Sequence, residues 1–284
     1  MRIKGRNLLY LGVLIVFVVG GAVFLLLNDE KTDPVDLKDV YVKQYIHVVS
    51  GTGIPVVFTS VHGGEEDNEM IVPRKSGNGS DYILLSDLRT IQLMNETNQM
   101  LQSVKGFRAH MVYCSLKRYY IDLNRNYSNE NSYQDPNLEG FHQAFYKRVE
   151  ELVNLNALTL VIDFHGFSSS NRPPEEHNIT IFLGTRNNRS VSIDTKSEMV
   201  KILSNNTLSV SPDHYSTFSE VFSGGYNLNR FAGYPNYNGI QIEFSDKVRL
   251  ESQLKFTNNL ERRNTTISNI LSFIDWWILN KTSK

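Results

Sequence analysis

The sequence predicts an α/β fold: a single domain built on a mixed, mostly parallel sheet flanked by helices and preceded by one transmembrane helix. Three observations lead there. Short apolar runs alternate with stretches of helical periodicity from about residue 40 onward. One long uncharged run lies near the N-terminus. The 284 residues are 40% hydrophobic, enough for a sizeable core and without the bias of a disordered chain.

The first element is LLYLGVLIVFVVGGAVFLLL, residues 8–27. As a helix rising about 1.5 Å per residue it would be roughly 30 Å long, the thickness of a bilayer core. Arg2, Lys4 and Arg6 precede it, and Asp29 and Glu30 follow it. Positive charge stays inside, so residues 1–7 form a short cytosolic tail and the remainder crosses in a type II orientation, lumenal or extracellular. The apolar run is longer than a usual signal core and no convincing small-x-small cleavage site precedes Asn28, which favours an uncleaved signal anchor over a signal peptide. Eight Asn-x-Ser/Thr sequons, at Asn78, Asn95, Asn126, Asn178, Asn188, Asn205, Asn264 and Asn280, suit a glycosylated lumenal domain. The one at Asn126 adjoins a candidate site arginine and is expected to be unused.

Residues 28–39 are a polar linker, and the folded domain is expected from 40 to 284. Strands are predicted at 54–61, 110–116, 158–164, 178–184 and 239–244, each an apolar run. A helix follows Pro136, where Leu138, Phe141, Ala144, Phe145, Val149, Leu152 and Val153 recur at three and four residues. Others are predicted at about 84–104 and 256–279. The last is apolar enough to pack on the sheet, and Asp275 argues against a second span.

Composition removes several functions. The net charge is −1 and no long basic block exists, so a nucleic-acid partner is not expected. Cys114 is the only cysteine, which excludes an intramolecular disulfide and a Cys-rich zinc ribbon. Any metal must be held by histidine and carboxylate.

His62 follows one predicted strand, His165 ends a second and Glu243 lies near the end of a third. In a mainly parallel sheet those ends converge, and ligands bind at the carboxyl ends of strands. In VHGGEED, His62-Gly-Gly-Glu65 lets a sharp turn bring imidazole and carboxylate to one cation. Catalytic zinc commonly takes three protein ligands and keeps a fourth position open, so His62, Glu65 and His165 would complete one site. The competing assignment for Glu65, Glu66 and Asp67 is a solvated acidic loop. In KRYYIDLNRN, Arg118 and Arg125 can clamp a carboxylate and Asn124 can bind an amide or carboxylate oxygen, predicting an acidic substrate. Asp122 suits orienting an arginine or a ligand histidine.

His-Gly-Gly after the strand at 55–61, Asp-Leu-Asn-Arg at 122–125, IDFHG at 162–166, and GGYNLNR with GIQIEF within 224–244 together resemble the N-formylglutamate amidohydrolase family. The likeness runs over nearly all of residues 45–278. More distantly the pattern is similar to zinc carboxypeptidases and aspartoacylase-like deacylases. The resemblance implies a zinc carboxypeptidase-like fold, one Zn2+ on His62 and His165, the substrate carboxylate on Arg125 with help from Asn124 and Arg118, and Glu243 as general base. Many relatives lack a Glu three residues after the first His, so Asp87, in Asp87-x-x-Thr90, competes with Glu65 for the third ligand position. Arg125 or Arg118 would stabilise the oxyanion or hold the carboxylate. Tyr226, Asn227 and Asn229 would line the pocket, with Tyr226 donating to the tetrahedral intermediate. Alternatives are a carboxypeptidase acting on peptides, an inactive binding protein on the same fold, and for Glu243 a structural pair with Arg249.

Overall fold

The computed structural model describes residues 37–75, 84–126, 132–204, 208–212 and 220–282, together with two short N-terminal strands. The chain divides into Met1–Asp36 and Leu37–Lys284. In the first unit Phe17–Val19 pairs antiparallel with Ala22–Phe24. These six residues of the expected transmembrane helix are extended, as Val-rich triplets favour; the rest of that run lies outside the described residues. Among the described residues, no helix is long and apolar enough to cross a membrane.

In the second unit, α1 (Leu37–Tyr45) leads into β1 (Ile46–Val49) and β2 (Val56–Ser60). Then come α2 (Thr90–Lys105), β3 (His110–Cys114), α3 (Phe141–Val153), β4 (Thr159–Phe167) and β5 (Ile181–Gly184). α4 (Ile193–Leu203), β6 (Val210–Ser211), α5 (Gly225–Phe231) and β7 (Tyr237–Ser245) follow. The chain ends in two single-turn helices, α6 (Asp246–Arg249) and α7 (Glu251–Leu254), and the long α8 (Thr257–Trp277). The seven strands make one sheet in the order β1-β3-β2-β4-β7-β5-β6. β3, β2, β4 and β7 run parallel, β1 and β5 pair antiparallel with β3 and β7, and β6 runs parallel to β5. The mixed, mostly parallel sheet matches the expectation from sequence.

Helices cover both faces. Phe58, Ile162, Phe164 and Ile242 pack on one side against Leu93 of α2, Met199 of α4, and Phe273 and Trp277 of α8. Val57, Val112, Cys114 and Val161 pack on the other against Tyr45 of α1, Phe141 and Phe145 of α3, and Phe231 of α5. The terminal helix therefore packs in the core. Cys114 is fully buried, and burial pushes its thiol up to about 12.

Successive side chains alternate between faces. On β4, Val161 is in the second core, so Asp163 and His165 share its face; on β7, Gln241 and Glu243 share the face of Tyr237. Apolar residues fill the first part of that face and polar ones its carboxyl end.

The expected strands are all present with shifted ends, and the 84–104 helix starts later than expected, at Thr90. Arg89 has φ 67°, a left-handed conformation that cannot continue a helix. Residues 84–89 instead form a turn in which Asp87 N–H donates to the His62 carbonyl at 2.9 Å. Sequence reading missed α1, β1, α4, α5, β6, α6 and α7.

Candidate metal centre

His62, Asp87 and His165 meet at the carboxyl edge of β2 and β4, with one ligand atom from each lying within 4.8 Å of the others. All three are buried. His165 Nδ1 is 3.1 Å and His62 Nδ1 is 3.7 Å from Asp87 Oδ2. The rings stand edge to face, 4.9 Å apart at 88°.

The far nitrogens are also occupied by carboxylates. His62 Nε2 is 2.6 Å from Asp122 Oδ1, and His165 Nε2 is 2.9 Å from Asp163 Oδ2. A carboxylate only accepts, so each Nε2 carries the proton, and in the neutral ring each Nδ1 is a lone pair. Two such lone pairs then face the acceptor Oδ2 of Asp87. Three acceptors brought together in a buried space fit a cation between them, and the Nε2–carboxylate pairs are the arrangement that fixes metal-binding histidines. This donor set can hold a metal ion.

Proton affinities carry the same message. Burial pushes Asp87 up, but hydrogen bonds from His165 and His62 outweigh it and hold the carboxyl below its usual range. Burial pushes His165 down, yet Asp163, Asp87 and Glu243 raise it well above an ordinary imidazole.

Of the two acidic candidates for the third ligand, the structure brings Asp87 and not Glu65 to the histidines. Glu65 is exposed and accepts from Arg89 N–H at 3.0 Å. The reason lies in the two glycines. A Cβ on Gly64 would lie 2.2 Å from the Leu116 carbonyl oxygen, and one on Gly63 would lie 2.3 Å from Thr90 Oγ1. The chain threads this gap and continues beside the exit of β3, where Glu66 N–H donates to Ser115 O at 2.9 Å. Glu65 is thereby carried outward.

Asp122 is buried at the centre of a cationic cluster. Arg118 donates to its Oδ2 through Nε at 3.1 Å and Nη2 at 2.9 Å, Arg125 Nε donates at 3.1 Å, and Arg74 Nη2 lies 3.7 Å away. Burial raises this carboxyl, but His62, Arg118 and Arg74 hold it well below the usual range. Asp122 thus performs the orienting role expected of it. Asn124 braces the first turn of α5, where its Oδ1 accepts from Asn227 N–H at 2.9 Å. Gly225, with φ 51°, presses on that amide, since a Cβ there would lie 2.2 Å from Asn124 Nδ2.

Glu243 lies 3.8 Å from His165 Nδ1 and accepts from Gln241 Nε2 at 2.6 Å. Burial, with Asp87 adding to it, raises its carboxyl to about 7 against the pull of His165 and His62. Arg249 is not its partner in a salt bridge. That guanidinium donates to Phe244 O at 2.9 Å, to Phe167 O at 3.0 Å and to Leu88 O. It packs on Gly166, where a Cβ would lie 2.3 Å from Arg249 Cζ, which accounts for the glycine of IDFHG.

These groups open into a cavity of about 1340 Å3. Its lining includes Lys117, Arg118, Asn124 and Arg125 as well as Phe167, Phe222 and Leu250. Tyr226 does not line it, contrary to expectation: its ring packs edge to face on Tyr146 at 5.4 Å, and Gly224 and Gly225 take its place at the wall. Asn227 is buried with Nδ2 donating to Thr59 Oγ1, and Asn229 is exposed.

Sequence reasoning missed Asp163, Gln241 and Arg74. The first was within reach, because Asp163 precedes His165 by two residues on a strand and must share its face. Thr59 Oγ1 donates to Asp163 at 2.7 Å and completes its setting. Arg74 arrives from a loop, through Arg74 N–H to Tyr119 O at 3.0 Å, and no local signal announces it.

No family model matches the sequence, and neither does any curated protein. Solved structures do. The chain aligns with N-formylglutamate amidohydrolase from Ralstonia eutropha JMP134 at a TM-score of 0.52 and 13% identity, covering 82% of this chain and 97% of that one. A gene product from Agrobacterium tumefaciens gives 0.51 and 15%, covering 83% and 99%. The chain therefore has the fold of N-formylglutamate amidohydrolase, the one its motifs led us to expect.

Proposed function

We propose that this chain is a zinc-dependent hydrolase that cleaves an amide bond beside a carboxylate, in a small acidic N-acyl amino acid or a short peptide. One observation carries the reading: two imidazole Nδ1 atoms and Asp87 Oδ2 converge while both Nε2 atoms are held by further carboxylates. Nitrogen and oxygen donors of this kind suit zinc, and three of them leave a position open.

Zinc held by His62, Asp87 and His165 would lower the pKa of water to about 7 and polarise the scissile carbonyl. Glu243, raised to about 7, accepts the proton of the attacking water and returns it to the leaving nitrogen. Arg118 and Arg125, steadied by Asp122, bind the substrate carboxylate or the developing oxyanion. Asp122 and Asp163 keep both histidines in the tautomer that presents Nδ1.

We further propose that residues 8–27 anchor the chain with its hydrolase domain lumenal or extracellular. The length of the uncharged run and the charges flanking it support this reading.

The test is elemental analysis of the purified chain beside a His62→Ala/His165→Ala double variant, with turnover measured on N-acyl amino acids. About one zinc per wild-type chain, lost with activity in the variant, is the expected result. A metal-replete wild type without any divalent ion would end the hydrolase reading.

A further inference from the structure

Sheet order gives the cavity a direction. His62 and His165 leave adjacent strands, β2 and β4. On one flank, in the segment that follows β3, stand Arg118 and Arg125; on the other, Phe167 at the end of β4 packs across β7 on Phe182 of β5, beside Phe222. A substrate with its carboxylate on the arginines and its carbonyl between the histidines sends its acyl half to the second flank.

That flank is apolar and built. Phe167 packs edge to face on Phe182 at 5.0 Å, and Phe182 on Phe222 at 5.3 Å. Arg172 lies over Phe222 at 5.3 Å, with its charge answered by Glu176 at 2.7 Å. Leu88 and Val221 on the cavity wall remain 46% and 44% exposed, and Leu250 adds a further apolar contact. The segment bearing Val221 and Phe222 is fastened at both ends. Glu220 accepts from Thr185 N–H at 2.8 Å, Asn187 N–H at 3.0 Å and Lys196 Nζ at 2.6 Å, and Ser223 O accepts from Arg186 N–H at 2.8 Å.

We infer that the acyl half of the substrate is a large apolar group, an alkyl or aryl chain of several carbons, seated on Phe167, Phe222, Val221, Leu88 and Leu250. A formyl group brings nothing to this wall. The inference rests on the hydrolase reading for the substrate's orientation, and binding tests it apart from turnover.

The zinc-loaded full chain carrying Glu243→Gln is titrated calorimetrically with N-formyl-, N-butanoyl- and N-octanoylglutamate, and with phenylalanylglutamate. Affinity should rise about threefold per buried methylene, so burial of three or more of the roughly seven carbons that octanoyl adds to formyl gives about 30-fold or more. In Phe222→Ala added to that background the octanoyl-to-formyl ratio should fall at least tenfold, and Phe222→Leu should restore most of it. Stronger gain with the dipeptide than with octanoyl identifies a hydrophobic residue as the source of the apolar group, and the reverse order identifies a fatty acyl chain. Equal or weaker binding with increasing acyl length overturns the inference. Failure of the wild type to hydrolyse any of the four ligands counts against the hydrolase reading alone.

Discussion

One oxygen of Asp122 lies 2.6 Å from His62 Nε2, while its other oxygen accepts from Arg118 and Arg125. A single buried carboxylate thus sets the tautomer of a candidate metal-ligand histidine and the position of the cations that face the cavity.

Asp122→Asn should weaken both. An amide can present a donor to His62 Nε2, which would move the ring proton to Nδ1 and block the ligand atom. Zinc affinity, followed by competition with a chromogenic chelator, should fall about 10- to 100-fold. Three arginines would lose their counter-charge, and denaturant melts should show a loss of about 3–5 kcal/mol. Undiminished zinc affinity would remove Asp122 from the orienting role.

Glu243→Gln should keep zinc and lose catalysis. The amide preserves the volume beside Gln241 but accepts no proton, so kcat should drop by about two to four orders of magnitude. A variant with near wild-type kcat would assign the proton transfer elsewhere.

His142 gives a pH signature carried by a residue outside the His62, Asp87 and His165 cluster. It is buried beside Tyr133 and Tyr146, and burial lowers its pKa from 6.5 to about 4. Because the folded-state pKa is depressed, the neutral ring's contribution to stability is complete above pH 6.5 and is lost as pH falls through about 4. Its full extent is about 3 kcal/mol. Unfolding free energies of wild type and His142→Phe, taken from pH 7.5 to 4, should therefore converge toward acid, with the wild type losing more. Parallel curves would show that the ring charges without penalty.

Gly225→Ala should be costly. Residue 225 has φ 51°, and the added methyl would press on the Asn124 amide that receives Asn227 N–H. A non-glycine residue in this region costs about 1–3 kcal/mol before the collision is counted. Thermal melts should show at least that loss, and Gly106→Ala makes a useful comparison. Gly106 also has positive φ, at 78°, but a Cβ there meets nothing within 4 Å. Equal losses in the two variants would make Asn124 irrelevant to the effect.

The α/β layering was legible because the apolar runs at 54–61, 158–164 and 239–244 are core strands flanked by periodic helices. His62, His165 and Glu243 were legible for the same reason: each sits at or just beyond the carboxyl end of such a strand. The third ligand position was not settled by spacing. His62-Gly-Gly-Glu65 reads as a chelating turn, but the close approach of Gly64 to Leu116 carries Glu65 outward, and that approach is a tertiary fact. Asp87 reaches the site through a backbone hydrogen bond to His62, formed by a turn that sequence periodicity had merged into a helix. Tyr226 failed for a similar reason. Its place in GGYNLNR looks poised to face a ligand, whereas the ring completes an aromatic cluster with Tyr146.

The single thiol, sealed behind the sheet with its proton held to about pH 12, makes the chain a convenient object for labelling. A fluorophore or spin probe introduced through a new cysteine at an exposed site such as Val104, which is 59% exposed, should attach there alone while the fold is intact. Cys114 would become reactive only when β3 separates from its neighbours. Its slow modification by a thiol reagent would then serve as a built-in clock for opening of the central sheet, readable with and without zinc and without any mutation.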